Sequence, residues 1–361
     1  MPIDVLPEHA QEPPKKQRVH RWLFLLFGAG ISGGMATYLV QRIDLAHFIV
    51  IATEANLLIF PAIFGVYLLL NLFRALRFRH LLDQKHLPIK VIFPIALYHN
   101  FWVRTLPLFA GEFSYIALLR RYLKQSVSSG VSSLLFSRLF ELLLVLLGGT
   151  IGLLVVGPQW SASHQLFTVL FPTLALITAG GIYFSDSLFK STVRIFCDMV
   201  TMVPWSKPTF HAWVRQKLIP LSSQLEGENA RRLFIKTFVF SCCTYGLSIL
   251  FYLLLLESCG LNLSLGLSLA IISTVMIASW FPFTLSGFGV IEGSWAAGLV
   301  IFAGLDLGQG TSVGLFIHAC QVLMTAISGM LGFVLLTWSN NFQDQISPEQ
   351  SLRSASRKIA S

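Results

Sequence analysis

Charge is scarce in this sequence. Only 12% of its 361 residues are Asp, Glu, Lys or Arg, while 54% are hydrophobic. Soluble domains carry about 25% charged residues, so an ordinary water-soluble composition is excluded. A mean hydropathy of +0.69 agrees. Basic residues are missing altogether between Lys236 and Arg353. The net charge of +9 is therefore not spread over an exposed face, as a nucleic-acid binder requires. Cysteine is sparse too. Cys197, Cys242, Cys243, Cys259 and Cys320 form no CxxC pair, and their odd number and irregular spacing indicate neither a disulfide framework nor a zinc site. P-loop, HExxH and GxSxG signatures are absent. No metal, no cofactor and no nucleic acid is expected.

What the chain has is long apolar runs, at 22–40, 57–73, 131–156, 166–184, 233–256 and 312–338. Each is long enough to cross a hydrocarbon core about 30 Å thick. The run at 22–40 follows a basic stretch with Lys15, Lys16, Arg18 and Arg21. It exceeds the apolar core of a signal peptide, about 7–15 residues. It reads as a retained first transmembrane helix behind a cytoplasmic N-terminus.

The positive-inside rule orients the rest. Arg74, Arg77, Arg79, Lys85 and Lys90 mark one cytoplasmic segment, and 185–232 marks another. The connections 157–164 and 257–262 contain no Lys or Arg and suit the outside. Two further apolar stretches, 91–119 and 263–303, are broken by Pro, Gly and polar residues. If 91–110 crossed, Arg120, Arg121 and Lys124 would lie outside. A re-entrant hairpin over 91–119 removes that conflict and is allowed where protein covers the broken backbone. The stretch 263–303 is either a second such hairpin or two crossings. The expected fold is all-α: a polytopic transmembrane helical bundle with one or two re-entrant, Gly/Pro-broken segments in two pseudo-symmetric halves. Its parts are a basic N-terminus (1–21), a membrane domain (22–338) with a cytoplasmic linker at about 185–232, and a polar tail (339–361) expected to be cytoplasmic and unstructured.

The broken segments share a pattern. One gives Glu112, Ser114, Tyr115 and Ala117; the other gives Glu292, Ser294, Trp295 and Ala297. Both have a Pro ahead of Gly and Glu: Pro107 before Gly111, and Pro282 before Gly287 and Gly289. Paired broken segments in two halves of a membrane protein point to a transport site. Ionisable residues at depth cost about 2.5–3.5 kcal/mol each on the insertion scale, so Arg104, Glu112 and Glu292 are candidate functional groups. Arg104 offers a fork for phosphate, and Glu292 a partner for a base or a proton relay. Arg138 and Glu141 stand at i,i+3 on one helix face and either pair with each other or line the same cavity. Arg74, Arg77 and Arg79 read as interfacial basic residues at the cytoplasmic headgroups. His318, alone in the last run, reads as a packed or hydrogen-bonded core residue.

These residues also carry a family resemblance. LFRALRFRHLL at 72–82, Asn100 with Pro107, Gly111 and Glu112, then Arg138, and PFTLSGFGVIE at 282–292 resemble the flippase-like family typified by the transmembrane region of lysylphosphatidylglycerol synthases. The likeness runs over about 57–336. Where the family often has an acidic residue before the arginine, this chain has Ser137. Where its last helix often has an arginine, this chain reads FIHACQ around His318. The family's soluble aminoacyl-transfer domain has no counterpart in the sequence, so lipid aminoacylation is not expected. The resemblance implies lipid handling: binding an anionic or polyprenyl-phosphate lipid headgroup and moving it between leaflets of the cell membrane. Membrane lipids, and enzymes of envelope-lipid synthesis, are the partners that fit. Two alternatives stay open: an enzyme acting on a lipid-linked headgroup, and an accessory scaffold of an envelope-lipid pathway.

Overall fold

The structure is a computed structural model. It describes residues 43–82, 87–106, 110–156, 162–183, 228–280 and 287–359, with isolated positions before 43. The apolar run at 22–40, most of the linker at 185–232, and both Pro107 and Pro282 lie outside the described residues.

Among the described residues there are ten α-helices: α1 Leu45–Glu54, α2 Phe60–Leu81, α3 Ile89–Thr105, α4 Ala110–Leu123, α5 Val127–Val156, α6 Ala162–Tyr183, α7 Glu228–Ser258, α8 Leu265–Ala278, α9 Val290–Ala303 and α10 Leu307–Ile359. Four contain stretches long and apolar enough to span a membrane: Phe60–Leu81, Ser129–Val156, Phe234–Ser258 and Leu307–Trp338. Large apolar side chains such as Leu154, Val155 and Trp338 face outward along them, as do Val169 and Leu176 on α6. A continuous apolar exterior of this kind suits acyl chains, not water.

Two expectations about helix ends are corrected. The apolar run at 57–73 does not end its helix there: α2 continues through Arg74, Arg77 and Arg79 to Leu81. The polar tail, expected to lack structure, continues α10 to Ile359. A helix already nucleated extends at one hydrogen bond per residue, and the tail's Gln, Glu, Arg and Ala residues are good or tolerable helix formers.

The broken stretches become two hairpins of short helices, α3–α4 and α8–α9. Helices α4, α8 and α9 have 14 residues each, about 21 Å by helical rise and short of a full crossing. Leu106, which ends α3, is extended at φ −89° and ψ 138°. Proline at the next position disfavours the helical region for it. At the second break Gly287 and Gly289 have φ of 79° and 88°, a region open to glycine at no steric cost.

From α4 and α5 to α9 and α10 the two halves repeat one another at an offset of 180 residues. Ala110–Leu123 falls on Val290–Ala303, and the start of α5 at Val127 falls on the start of α10 at Leu307. The loops agree in detail. Lys124 and Gly304 are both left-handed, at φ 54° and 71°. The Gln125 N–H donates to the Leu119 carbonyl, and the Leu305 N–H to that of Leu299, both at 3.3 Å. Gly130 lies against Ile116 as Gly310 lies against Ala296. Gly149 and Gly152 of α5 admit α6 and α8 at close range, and Gly329 and Gly332 of α10 admit α3. The packing is exchanged between halves: α3 packs on α10, α8 packs on α5, and α2 and α7 pack on each other. This is the arrangement of a pseudo-two-fold axis passing between α2 and α7.

The shared turn gives a test. A non-glycine residue in the left-handed region costs about 1–2 kcal/mol. Lys124→Gly should therefore stabilise the detergent-solubilised protein by about 1 kcal/mol, and Gly304→Lys should destabilise it similarly, as read by thermal unfolding. Unfolding curves that coincide for all three proteins would remove the equivalence of the two turns.

Candidate functional site: two related polar centres

Each half carries a glutamate in the first turn of its second short helix, and each glutamate has a basic partner 26 residues further along.

In the first half Glu112 accepts from Arg138, which also donates to Glu141 at 2.8 Å. Arg77 comes in from α2 and donates to Glu141 at 2.5 Å and to the Ser241 hydroxyl of α7 at 3.1 Å. The Thr244 hydroxyl is 3.5 Å away. Arg77 is 0% exposed. It is not the headgroup-level residue expected from the sequence: helix α2 carries it past the end of the apolar run and turns it onto α5 and α7. Arg74, one turn earlier on the same face, donates to Asn71 at 3.1 Å. It interacts electrostatically with Glu141, Arg138 and Arg77, but it forms no ion pair among the described residues. Arg79 is only partly buried.

A polar shell surrounds this network. The Asn71 side chain donates to the Tyr67 carbonyl at 2.8 Å, and Asn100 donates to the Tyr67 hydroxyl at 2.5 Å. The Tyr67 hydroxyl also meets Thr325 of α10 at 2.8 Å. His99 lies between Ser114, at 3.1 Å, and Glu112, at 3.6 Å. Gly111 is obligatory for the hairpin: a Cβ there would come within 2.4 Å of the Val103 Cα and 2.6 Å of the Trp102 carbonyl.

In the second half Glu292 is 1% exposed. One carboxylate oxygen lies 2.7 Å from His318 Nδ1, and the other accepts the Gly289 N–H at 2.8 Å. This is one arm of a capping box, since a glycine has no side chain to return the bond. The N-terminal end of α9 adds its own attraction for the negative charge. At the 180-residue offset Glu292 stands on Glu112, His318 on Arg138, and Gln321 on Glu141. Even the third member has a counterpart: Arg77 reaches Glu141 from α2, and the Tyr252 hydroxyl of α7 accepts from Gln321 at 2.8 Å. One backbone arrangement thus carries two arginines and two glutamates in the first half, and one glutamate with a histidine, a glutamine and a tyrosine in the second.

The structure brings some of the residues expected at one site together. Glu112, Arg138 and Glu141 come together, but Glu292 belongs to its own centre with His318. Arg104, in the last turn of α3, joins neither. It has no hydrogen bond or ion pair among the described residues, and its place at a helix C-terminus favours a cation by itself. Sequence reasoning did not pick out His99, Asn71, Tyr67, Ser241 or Thr244. It treated Arg77 as a surface marker and His318 as a core residue without a named partner. The constant offset was the available signal: it sets His318 beneath Arg138 and so pairs it with Glu292. No group of three or more His, Cys, Asp or Glu fit for a metal ion occurs among the described residues.

Two exchanged halves, hairpins of short helices, and buried ion pairs inside an apolar exterior define a polytopic membrane protein with an internal polar site. The family described as the lysylphosphatidylglycerol synthase TM region matches residues 25–329, and the chain belongs to that family. It is a membrane protein acting on lipids. No curated protein and no solved structure matches the chain.

Proposed function

We infer that the protein binds the headgroup of an anionic or polyprenyl-phosphate lipid at the first-half network and carries it between leaflets. The observation that carries this reading is a charge imbalance. Three guanidiniums, Arg74, Arg77 and Arg138, face two carboxylates, Glu112 and Glu141. A buried charge without a partner costs several kcal/mol, and a phosphate supplies the missing charge together with oxygens suited to guanidinium forks. Asn100 and the buried Ser241 and Thr244 add neutral polar groups to the network. A groove lined by His80, Ile235, Lys236, Val239 and Phe240 opens nearby, where α2 meets α7. Its surface is apolar, suited to an acyl chain, and Lys236 is the one ammonium among its lining residues.

In this reading the two short-helix hairpins are re-entrant, the termini are cytoplasmic, and the protein sits in the cell membrane beside enzymes that make envelope lipids. It performs no covalent chemistry. One contact favours an enzymatic reading, the Ser114–His99–Glu112 chain. However, the Ser114 hydroxyl donates to the Gly111 carbonyl at 2.6 Å. Its proton is therefore not offered to the imidazole, as an activated nucleophile requires. Labelling of Ser114 by a fluorophosphonate probe would reverse that judgement.

The test replaces the guanidinium that has no carboxylate. A hydrogen bond to a charged group is worth about 1.5–3 kcal/mol. Arg74→Ala should therefore lower binding of phosphatidylglycerol by about tenfold to hundredfold and slow its transbilayer movement in proteoliposomes. Arg104→Ala, outside the network, serves as the control. Native-like binding and movement in Arg74→Ala would overturn the site.

A further inference from the structure

We propose that Glu292 and His318 form a proton-binding site that couples lipid movement to a proton gradient. The inference rests on the lipid-carrying reading above, and goes beyond it by naming the energy source.

The internal repeat is the starting point. Equivalent backbone positions hold Arg138 in one half and His318 in the other, each paired with the equivalent glutamate. A guanidinium keeps its proton at every accessible pH. Imidazole is the side chain whose charge ordinarily changes between pH 5 and 8. The first centre therefore has a fixed cation, suited to an anionic headgroup. The second has a cation that comes and goes.

The proton balance is simple. With a neutral imidazole, Nδ1–H donates to the Glu292 carboxylate, and the dyad carries one negative charge. A proton added at Nε2 gives an imidazolium–carboxylate pair with no net charge, and its loss restores the first state. Both states have support in the fold. The Gly289 N–H and the end of α9 hold the carboxylate when the dyad is charged. The neutral pair suits the dry interior.

Nε2, the entry point, is buried and has no hydrogen-bond partner among the described residues. Trp295 Nε1 and Gln321 Oε1 are likewise buried and unpartnered. Tyr252 joins them, touching the Trp295 ring at 5.6 Å between centroids and the Gln321 amide at 2.8 Å. Unpaired buried polar atoms normally find a water.

Few other ionisable groups compete. Helix α8, packed on α9, carries none. Among the described residues of α7, Tyr252 reaches the site; α3 and α2, which also pack on α10, present His99 to Glu112 and Tyr67 to Thr325. On α10 the other ionisable side chain nearby is Cys320. Helix α1, packed on α10, carries His47 and an exposed Glu54. Phe288 covers the imidazole face, with 4.9 Å between ring centroids.

The two centres are connected. His318, Gln321, Thr325 and Ser328 follow one another at spacings of three and four along α10 and are all buried, so they form one polar stripe. Thr325 meets Tyr67, Tyr67 meets Asn100, and His99 beside it meets Glu112. A change of charge at the dyad thus has a polar path to the headgroup network. One proton moving with one singly charged lipid anion transfers no net charge.

The experiment uses the full chain in liposomes containing tail-labelled phosphatidylglycerol. The membrane potential is clamped, a pH difference is imposed, and the leaflet distribution is read by chemical quenching. With one proton per lipid, the leaflet ratio should shift by about tenfold per pH unit at full coupling, and a protonophore should abolish the shift. His318→Arg keeps a cation beside Glu292, as Arg138 does beside Glu112, and its ratio should ignore the pH difference. A parallel measurement needs no lipid transport: on a jump from alkaline to acidic pH, purified native protein should take up one more proton than His318→Gln. Equal uptake overturns the proton site. Lipid exchange in the native protein that ignores the pH difference overturns the coupling and leaves the lipid reading intact. Proton uptake without any lipid exchange overturns the coupling together with the lipid reading.

Discussion

Replacing Arg77 with Met takes one of the two ion-pair partners from Glu141, leaving Arg138, and is expected to cost about 3–5 kcal/mol of stability. The loss is large because Arg77 sits wholly inside, where three helices meet. It joins α2 to Glu141 of α5 and to Ser241 of α7. Water cannot replace those partners, and acyl chains cannot either. A total stability of about 5–15 kcal/mol leaves little margin, so the variant should accumulate poorly and melt early in detergent. The second half of the test is recovery. Adding Glu141→Gln removes the charge that Arg77 had balanced and places a neutral amide where the other half has Gln321. The double variant should regain most of the lost stability, as removing both members of a buried pair usually does. A single variant as stable as the native chain, or a double variant no better than the single one, would show that the ion pair does not tie these helices together.

The second large effect is expected at Trp295. Its ring is 0% exposed, rests against Tyr252, and has its Cβ against Gly314 of α10, where a Cβ would approach to 2.7 Å. Trp295→Ala removes the largest buried side chain at the α9–α10 seam and should cost about 3–5 kcal/mol. Tyr115 occupies the matching place in the first half, also 0% exposed, against Phe78 at 4.3 Å between ring centroids. Tyr115→Ala should behave alike. Tyr115→Phe loses only the contact with the Ser133 hydroxyl, 3.1 Å in length, and should cost about 1 kcal/mol. Thermal unfolding separates the cases. Trp295→Ala within about 1 kcal/mol of the native protein would mean that the hairpin does not depend on this buried ring, contrary to the usual cost of such a truncation.

Much of the fold was readable because the bilayer leaves few solutions. The length of an apolar run was enough to find the four helices that are long and apolar enough to span, although the run at 166–184 is not one of them. A conflict in charge placement at Arg120, Arg121 and Lys124 pointed to the α3–α4 hairpin. The repeated Glu, Ser, aromatic and Ala positions pointed to two related halves, and Glu112 and Glu292 do occupy equivalent places. What escaped was side-chain direction. Periodicity fixes which residues share a face of α2, but not whether that face meets lipid headgroups or α5 and α7, so Arg77 was misplaced. Arg104 and Arg138 looked equally available, because a lone cation in an apolar run has the same sequence appearance whether or not a carboxylate waits across the interface. His318 gave no sign by itself, since its meaning lies in standing where the other half has an arginine.

The 180-residue register has one more consequence. Each half of the chain has, in its sibling, a worked example of its own backbone in a different electrical setting. Any tilt that one hairpin can make against the opposite long helix has a counterpart of nearly equal energy in the other hairpin, because the turns and the small-residue contacts recur. The balance between such paired postures is then decided by the few places where the copies diverge, and the occupant of positions 138 and 318 is chief among them.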